Sequence, residues 1–238
     1  MLIDEKKHVE QVSGWYLEEQ LDFDKRLIRG RYETLKKYLI GPNGLELGSA
    51  DGQMTRFLLA DFEKLTIVDG APELLEMIPE AQNLTKVHCL FEEFKPNEKF
   101  NTIIMEHILE HVEFPVSLLK LVKNWLAPNG RMLLGVPNGH SIHRLVAVKM
   151  GLLENPCQLN NRDISQGHRR VYTPETFRKD ITEAGLQIET MGGVFFKPLS
   201  NKQIQDNWTE EMIQGFYALG KEFPWNAADL YAVCRIEQ

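Results

Sequence analysis

The sequence is short of cysteine, of long apolar runs and of positive charge. Its 238 residues include three cysteines, Cys89, Cys157 and Cys234. They are odd in number, far apart and in no metal-ligand spacing, which argues against a disulfide framework or a metal cluster and for a reducing compartment. The longest apolar runs have the length of strands, too short to span a membrane as a helix. The opening Met1-Leu2-Ile3-Asp4-Glu5-Lys6-Lys7 is too charged for a signal-peptide core. A cytoplasmic location is therefore expected. With 27 Lys and Arg against 34 Asp and Glu, the net charge of −7 argues against a broad nucleic-acid surface. Repeats, low-complexity tracts and linker-like stretches are missing too, so residues 1–238 are expected to form a single domain with a sizeable core.

What is present begins at Gly44-Leu45-Glu46-Leu47-Gly48-Ser49-Ala50-Asp51-Gly52. A short apolar run passes through a turn of small residues into a helical pattern, where Met54, Phe57 and Leu58 fall at i, i+3 and i+4. Small residues let backbone amides approach a ligand closely. A second apolar run, Leu65-Thr66-Ile67-Val68, ends in Asp69, at the spacing of about twenty residues that suits a carboxylate gripping ribose hydroxyls. A nucleoside cofactor is the expectation. A dinucleotide needs G-x-G-x-x-G with its pyrophosphate on the helix N-terminus. Here the small residues are spaced differently, and Glu46 and Asp51 would repel a diphosphate. Both carboxylates suit a ligand carrying an ammonium and a sulfonium.

Glu46-x-Gly48-x-Ala50-x-Gly52 resembles motif I of the class I S-adenosylmethionine-dependent methyltransferases, usually Asp/Glu-x-Gly-x-Gly-x-Gly, with Ala50 in place of the middle glycine. The resemblance continues in order from about residue 35 to 190. Thr66 to Leu75 looks like the second strand and its helix, Val87 to Glu92 the third strand and its loop, Phe100 to His107 the fourth strand, and Trp125 to Pro137 a helix end, a Pro-Asn-Gly turn and the fifth strand. It implies a Rossmann-like α/β fold, a seven-stranded mostly parallel sheet with helices on both faces. The last strand, Asp229 to Ile236, would run antiparallel between strands five and six. It implies S-adenosyl-L-methionine as cofactor, held by Glu46, Gly48, Ser49, Ala50, Gly52, Asp69 and Gly70, with Leu90, Phe91 and Glu106 beyond strands three and four. Leu90 stands where the family often has an Asp. Residues 1–40 read as a helical cover from which Tyr16 or Trp15 would reach the cofactor.

Two stretches read as substrate-side insertions. Residues 138–171 exceed an ordinary connection of a few residues and include an amphipathic helix at Ser141 to Met150. Residues 197–224 carry Trp208, Met212, Phe216 and Tyr217 at helical spacing, either a substrate wall or a dimer surface. The first insertion and its edge hold Arg144, Lys149, Arg162, Arg169 and Arg170 against Glu154 and Asp163. Arg144, Arg169, Arg170 and Tyr172 are the expected substrate contacts, and the charge favours a small anionic acceptor. Gly167-His168-Arg169-Arg170-x-Tyr172-Thr173-Pro174 resembles chains of surface-polysaccharide and sugar-nucleotide pathways. Thr173-Pro174 itself reads as a helix start, and Ala184-Gly185 as its end.

Methyl transfer to a sugar hydroxyl needs a general base, and histidine is the commonest. The candidates are His168, then His107 and His143. His111, four residues after His107, would share a helical face with it if that segment were helical. No metal set of the catechol type is visible, and no metal is expected. Two alternatives stay open. One is an N-methyltransferase on an amino sugar or small amine, which needs no base. The other is a non-catalytic S-adenosylmethionine-binding subunit, which has no need of an intact Glu46, Gly48, Gly52 and Asp69. The expected partner is a small molecule, with no nucleic acid and no membrane; a homodimer is left open.

Overall fold

The protein is seen here in a computed structural model that describes residues 22–236 together with Lys6, Val9, Ser13 and Gly14. Among the described residues seven strands form one sheet. They are β1 Asn43–Leu47, β2 Lys64–Asp69, β3 Leu84–His88, β4 Phe100–Glu106, β5 Leu126–Pro137, β6 Leu186–Val194 and β7 Asp229–Ile236. Their order is β3-β2-β1-β4-β5-β7-β6. The pairs β1–β2, β1–β4, β2–β3 and β4–β5 are parallel, while β7 runs antiparallel to both β5 and β6. This is the expected architecture.

From residue 22 onward the helices are α1 Asp22–Leu35, α2 Gln53–Leu58, α3 Pro72–Met77, α4 Pro115–Val122, α5 Ile142–Lys149, α6 Asn161–Ser165, α7 Pro174–Glu183, α8 Asn201–Asn207 and α9 Glu210–Glu222. Side chains alternate across a strand with period two, and the central strands are apolar on both faces. Ile103, Met105, Met132, Leu134, Ala232 and Cys234 point to the layer of α4 and α7, where Leu119, Val122, Phe177 and Ile181 meet them. Ile104, Leu133 and Val233 point the other way, to Tyr32 and Leu35 of α1 and Met54 and Leu58 of α2. A third cluster lies under the second insertion: Phe195 stacks edge-on with Phe23 and Tyr217, and Ile204 and Ile213 close it. Trp208 and Phe216 stack on each other against it, at 4.3 Å between ring centroids. Those aromatics are therefore half-buried against the cluster, whereas Met212 remains exposed.

Two expectations shift, and a third is described in part. The third strand ends at His88, and residues 89–92 turn away into a 3-10 turn at Phe91–Glu93. Of the expected helical cover, α1, a 3-10 turn at Lys36–Tyr38 and helical backbone at Lys6, Val9, Ser13 and Gly14 are described, and Trp15 and Tyr16 lie outside the described residues. Residues 108–114 are turns rather than a helix, so His107 and His111 share no helical face. The Pro128-Asn129-Gly130 turn sits inside β5 as an irregularity, with Asn129 at φ 61° and the register jumping between Phe100/Leu126 and Thr102/Arg131. Thr173 caps α7 through a reciprocal box with Thr176, and Gly185 at φ 74° follows its end, as read from the sequence.

The third cluster anchors the second insertion to α1, and Phe195 is its centre, fully buried. Phe195→Ala should lower stability by about 3–5 kcal/mol, as for other buried Phe truncations. Urea unfolding of the variant measures this, and a loss below about 1 kcal/mol would show that the insertion is held elsewhere.

Candidate active site

Strand order reverses between β1 and β4, and ligands of such sheets bind at the carboxyl ends of the strands beside that reversal. A cavity of about 500 Å³ opens there. Gly48, Ser49, Ala50, Asp51, Asp69 and Gly70 line one end. The turn is shaped by left-handed backbone at Gly48 (φ 75°) and at Ala50 (φ 45°), so the alanine that departs from the family pattern carries a conformation few residues adopt without cost. A Cβ on Gly48 would lie 2.1 Å from Cδ1 of Ile108, so no side chain fits there.

Asp69 ends β2 with its carboxylate on this turn: the amides of Ala50 and Ala71 each donate to it at 3.0 Å. Burial pushes its carboxyl up, partly offset by these bonds. Glu46, at the end of β1, is buried, and Thr55 Oγ1 donates to it at 2.6 Å. Burial drives it up to about 8, Thr55 opposes this, and Asp69 adds to it. Glu106 ends β4, also pushed up to about 8 by burial, with Oε1 buried and without a hydrogen-bond partner. Gly135 permits this, since a Cβ there would lie 2.2 Å from that oxygen. Phe91 lines the cavity; Leu90 and Gly52 are not among its lining residues. Gly52 instead shapes the start of α2 at φ 78°. Leu90 precedes a 3-10 turn, and its Cδ2 lies 3.5 Å from where a Cβ on Gly70 would stand.

The donor set fits S-adenosylmethionine. A carboxylate at the ribose end, two buried acids beside the turn and an orphaned acidic oxygen suit a cation-bearing nucleoside, and they exclude a diphosphate from the turn.

At the other end the antiparallel β7 brings its first residue, Asp229, to the edge where the parallel strands finish. Arg31 of α1 pairs with it, Nε to Oδ2 at 2.9 Å, both nearly buried. Burial opposes ionisation of Asp229, but Arg31 and His107 together outweigh it and hold the carboxyl below its usual range. His107, in left-handed backbone (φ 56°) just past β4, lies between two acids: Nε2 is 3.6 Å from Asp229 Oδ1 and Nδ1 is 3.3 Å from Glu110 Oε1. Burial, with Arg31, lowers its pKa, so the ring is neutral. Lys197 also faces the cavity, donates to Asn201 Oδ1 at 2.9 Å and is drawn down to about 8 by burial. Arg31, Asp229 and Lys197 were not singled out in the sequence. Asp229 carried a signal, as the first residue of a strand expected to be antiparallel.

His143 and His168 also line the cavity, drawn down by burial to about 3 and about 4. His168 sits with Nδ1 3.6 Å from Asp163 Oδ1. The expected substrate arginines are used otherwise. Arg144 is buried, paired with Asp163 at 3.0 Å, and donates to the carbonyls of Pro156 and Gln158, which ties the first insertion together. Arg170 donates to the carbonyls of Leu109 (3.1 Å) and Glu113 (3.0 Å), and Arg169 lies 3.7 Å from the Glu113 carboxylate. Tyr172 is buried away from the cavity, its hydroxyl donating to Asp180 at 2.9 Å. These cations are neutralised by the protein itself, which removes the basis for a phosphorylated or nucleotide-linked sugar. Glu110, His111 and His168 bring ligand atoms within 4.8 Å of one another. Among the described residues no helix is long and apolar enough to cross a membrane.

Comparison with known proteins agrees with this geometry. The profile of the family described as "Methyltransferase domain" matches residues 18–191. A ubiquinone biosynthesis O-methyltransferase from Xanthomonas euvesicatoria pv. vesicatoria (strain 85-10) is 23% identical over 195 residues, 77% of this chain and 78% of that protein. The N-methyltransferase NodS from Bradyrhizobium japonicum WM9, solved with S-adenosyl-L-homocysteine, is similar in structure with a TM-score of 0.58 at 17% identity, covering 92% and 90% of the two chains. An S-adenosylmethionine-dependent methyltransferase from Mesorhizobium loti gives 0.62 at 15% identity, covering 87% and 97%. No support for a sugar-nucleotide pathway comes from these relatives. The chain belongs to the methyltransferase-domain family, and its cofactor is S-adenosylmethionine.

Proposed function

We propose that the protein methylates a hydroxyl of a small acceptor that carries no phosphate, with His107 as the base. The observation that carries this is His107 itself, at the tip of β4, ring in the cavity, between Asp229 and Glu110. A neutral imidazole flanked by a carboxylate accepts a proton and is steadied as the imidazolium forms. The similarity to ubiquinone biosynthesis O-methyltransferases supports an oxygen acceptor.

Asp69 would hold the cofactor's ribose hydroxyls, Gly70 and Phe91 would lie along its base, and Glu46 and Glu106 would face its ammonium and sulfonium across Ser49 and Ala50. Bound there, the cofactor supplies an electrophilic methyl whose thioether leaving group is already good. The protein's share is then position and dryness, which for well-oriented partners is worth about 7–11 kcal/mol. Lys197 and Arg31 would flank the acceptor's oxygen end, balanced by Asp24 and Asp229.

His107→Ala is expected to cut transfer from methyl-labelled S-adenosylmethionine to a responsive phenol or polyol by about a hundredfold or more, with S-adenosylhomocysteine affinity unchanged. A variant that keeps most of the rate would instead favour an amine acceptor, which attacks without a base.

The raised pKa of Glu46 makes a separate prediction. Its folded value of about 8 exceeds the ordinary carboxylate value, so the folded cofactor-free protein holds a proton that the unfolded chain loses first. Stability contributed by that proton is present at low pH and falls as pH rises towards 8. Burial sets this balance, opposed by Thr55 and reinforced by Asp69. The cofactor-free melting temperature should drop by roughly 5 °C between pH 6 and pH 8.5, while the stabilisation by S-adenosylhomocysteine grows as Glu46 ionises against its ammonium. A Glu46→Gln protein that shows the same pH slope would contradict the assignment.

A further inference from the structure

We infer that Glu110, His111 and His168 form a site for one first-row divalent transition-metal ion, with its open coordination positions facing the acceptor side of the cavity. Their ligand atoms lie within 4.8 Å of one another, and both histidines line the cavity. Two imidazoles and one carboxylate suit zinc, iron, cobalt or manganese; magnesium and calcium favour all-oxygen sets.

The strongest sign is Glu110. Its side chain is fully buried, and neither carboxylate oxygen has a hydrogen-bond partner. A buried acid is normally paired or on a metal. The 3.3 Å approach of His107 Nδ1 leaves Oε2 unexplained. The rings of His111 and His168 meet edge-to-face at 4.7 Å, a contact that orders the imidazoles but does nothing for the acid between them.

The site is also built in advance. The amide of Arg169 donates to the Glu110 carbonyl at 2.8 Å, and the Arg170 guanidinium holds the carbonyls of Leu109 and Glu113. These bonds pin the His168 segment to the turn after β4. Behind His168 the Asp163 carboxylate stands 3.6 Å from Nδ1, itself fixed by Arg144 and by the amide of Asn160 at 2.9 Å. A carboxylate behind a ligating histidine sets the ring's tautomer and orientation, leaving Nε2 as the donor to the ion.

Three protein ligands leave positions for an exogenous oxygen. An ion there would hold the acceptor's hydroxyl and lower its pKa, as bound zinc does for water. The O–H bond then breaks with its electron pair staying on oxygen and its proton passing to His107. This role, though not the binding of the ion, rests on the hydroxyl-acceptor reading above.

Protein freed of metal by chelator dialysis is titrated with Co²⁺, read by visible ligand-field absorption, and with Zn²⁺ by calorimetry. One equivalent should bind, and Glu110→Gln and His168→Ala should each weaken it at least about a hundredfold, while His140→Ala leaves it unchanged. S-adenosylhomocysteine titration of the same proteins should be unaffected, which shows that the variants are folded and keeps failure here separate from failure of the cofactor assignment. Absence of stoichiometric binding to the wild type would overturn the inference. So would unchanged metal affinity in whichever of the two variants retains S-adenosylhomocysteine binding.

Discussion

The ion pair between Arg31 and Asp229 is the contact on which the rest of the site depends. It joins the first described helix to the first residue of the last strand, chain segments far apart in sequence, at 2.9 Å and nearly out of water. Asp229 reaches this place only because β7 is antiparallel, which sets its beginning beside the ends of β5 and β4. Once there it must stay charged in a dry setting, and a buried charge without its partner costs several kcal/mol. Arg31 meets that cost. The pair then shapes the field around His107: burial and then the guanidinium lower the ring's pKa while Asp229 opposes them, and the same guanidinium only partly offsets the burial that pushes Glu106 and Glu110 up.

The site has two halves with opposite logic. On the β1–β2 side the backbone does the binding work: a turn with left-handed residues brings amides onto Asp69, and small residues keep the floor low. On the β4–β7 side the work belongs to buried titratable groups, among them Glu106, Glu110, Asp229, His107, His143, His168 and Lys197. The first half is proposed to take up the nucleoside through shape and hydrogen bonds. The second favours whichever proton arrangement a bound acceptor and cofactor complete.

The sequence made the first half legible because its signals are local. Glu46, the small-residue turn and Asp69 lie within one βαβ unit, and their spacing is dictated by the length of a strand and a helix. The sheet order and the antiparallel last strand were legible through the same ordered series, and Asp229 to Ile236 was read with its observed bounds. The second half was not legible in the same way, because its members come from α1, the turn after β4, both insertions and β7. Arg144, Arg169 and Arg170 look like an anion site along the chain, yet each is turned onto an acid or a carbonyl that only the fold brings near. Charge along a sequence counts cations without their partners. Glu110 and His111 become notable only once His168 is placed against them.

The central claim is that the Asp69 turn holds S-adenosylmethionine, and calorimetric titration of wild-type protein and Asp69→Ala with S-adenosylhomocysteine, with NADH in parallel, tests it most directly. Micromolar affinity for the thioether that Asp69→Ala abolishes, with no affinity for NADH, is the expected result. Binding of NADH in its place, or thioether affinity indifferent to Asp69, would contradict the account.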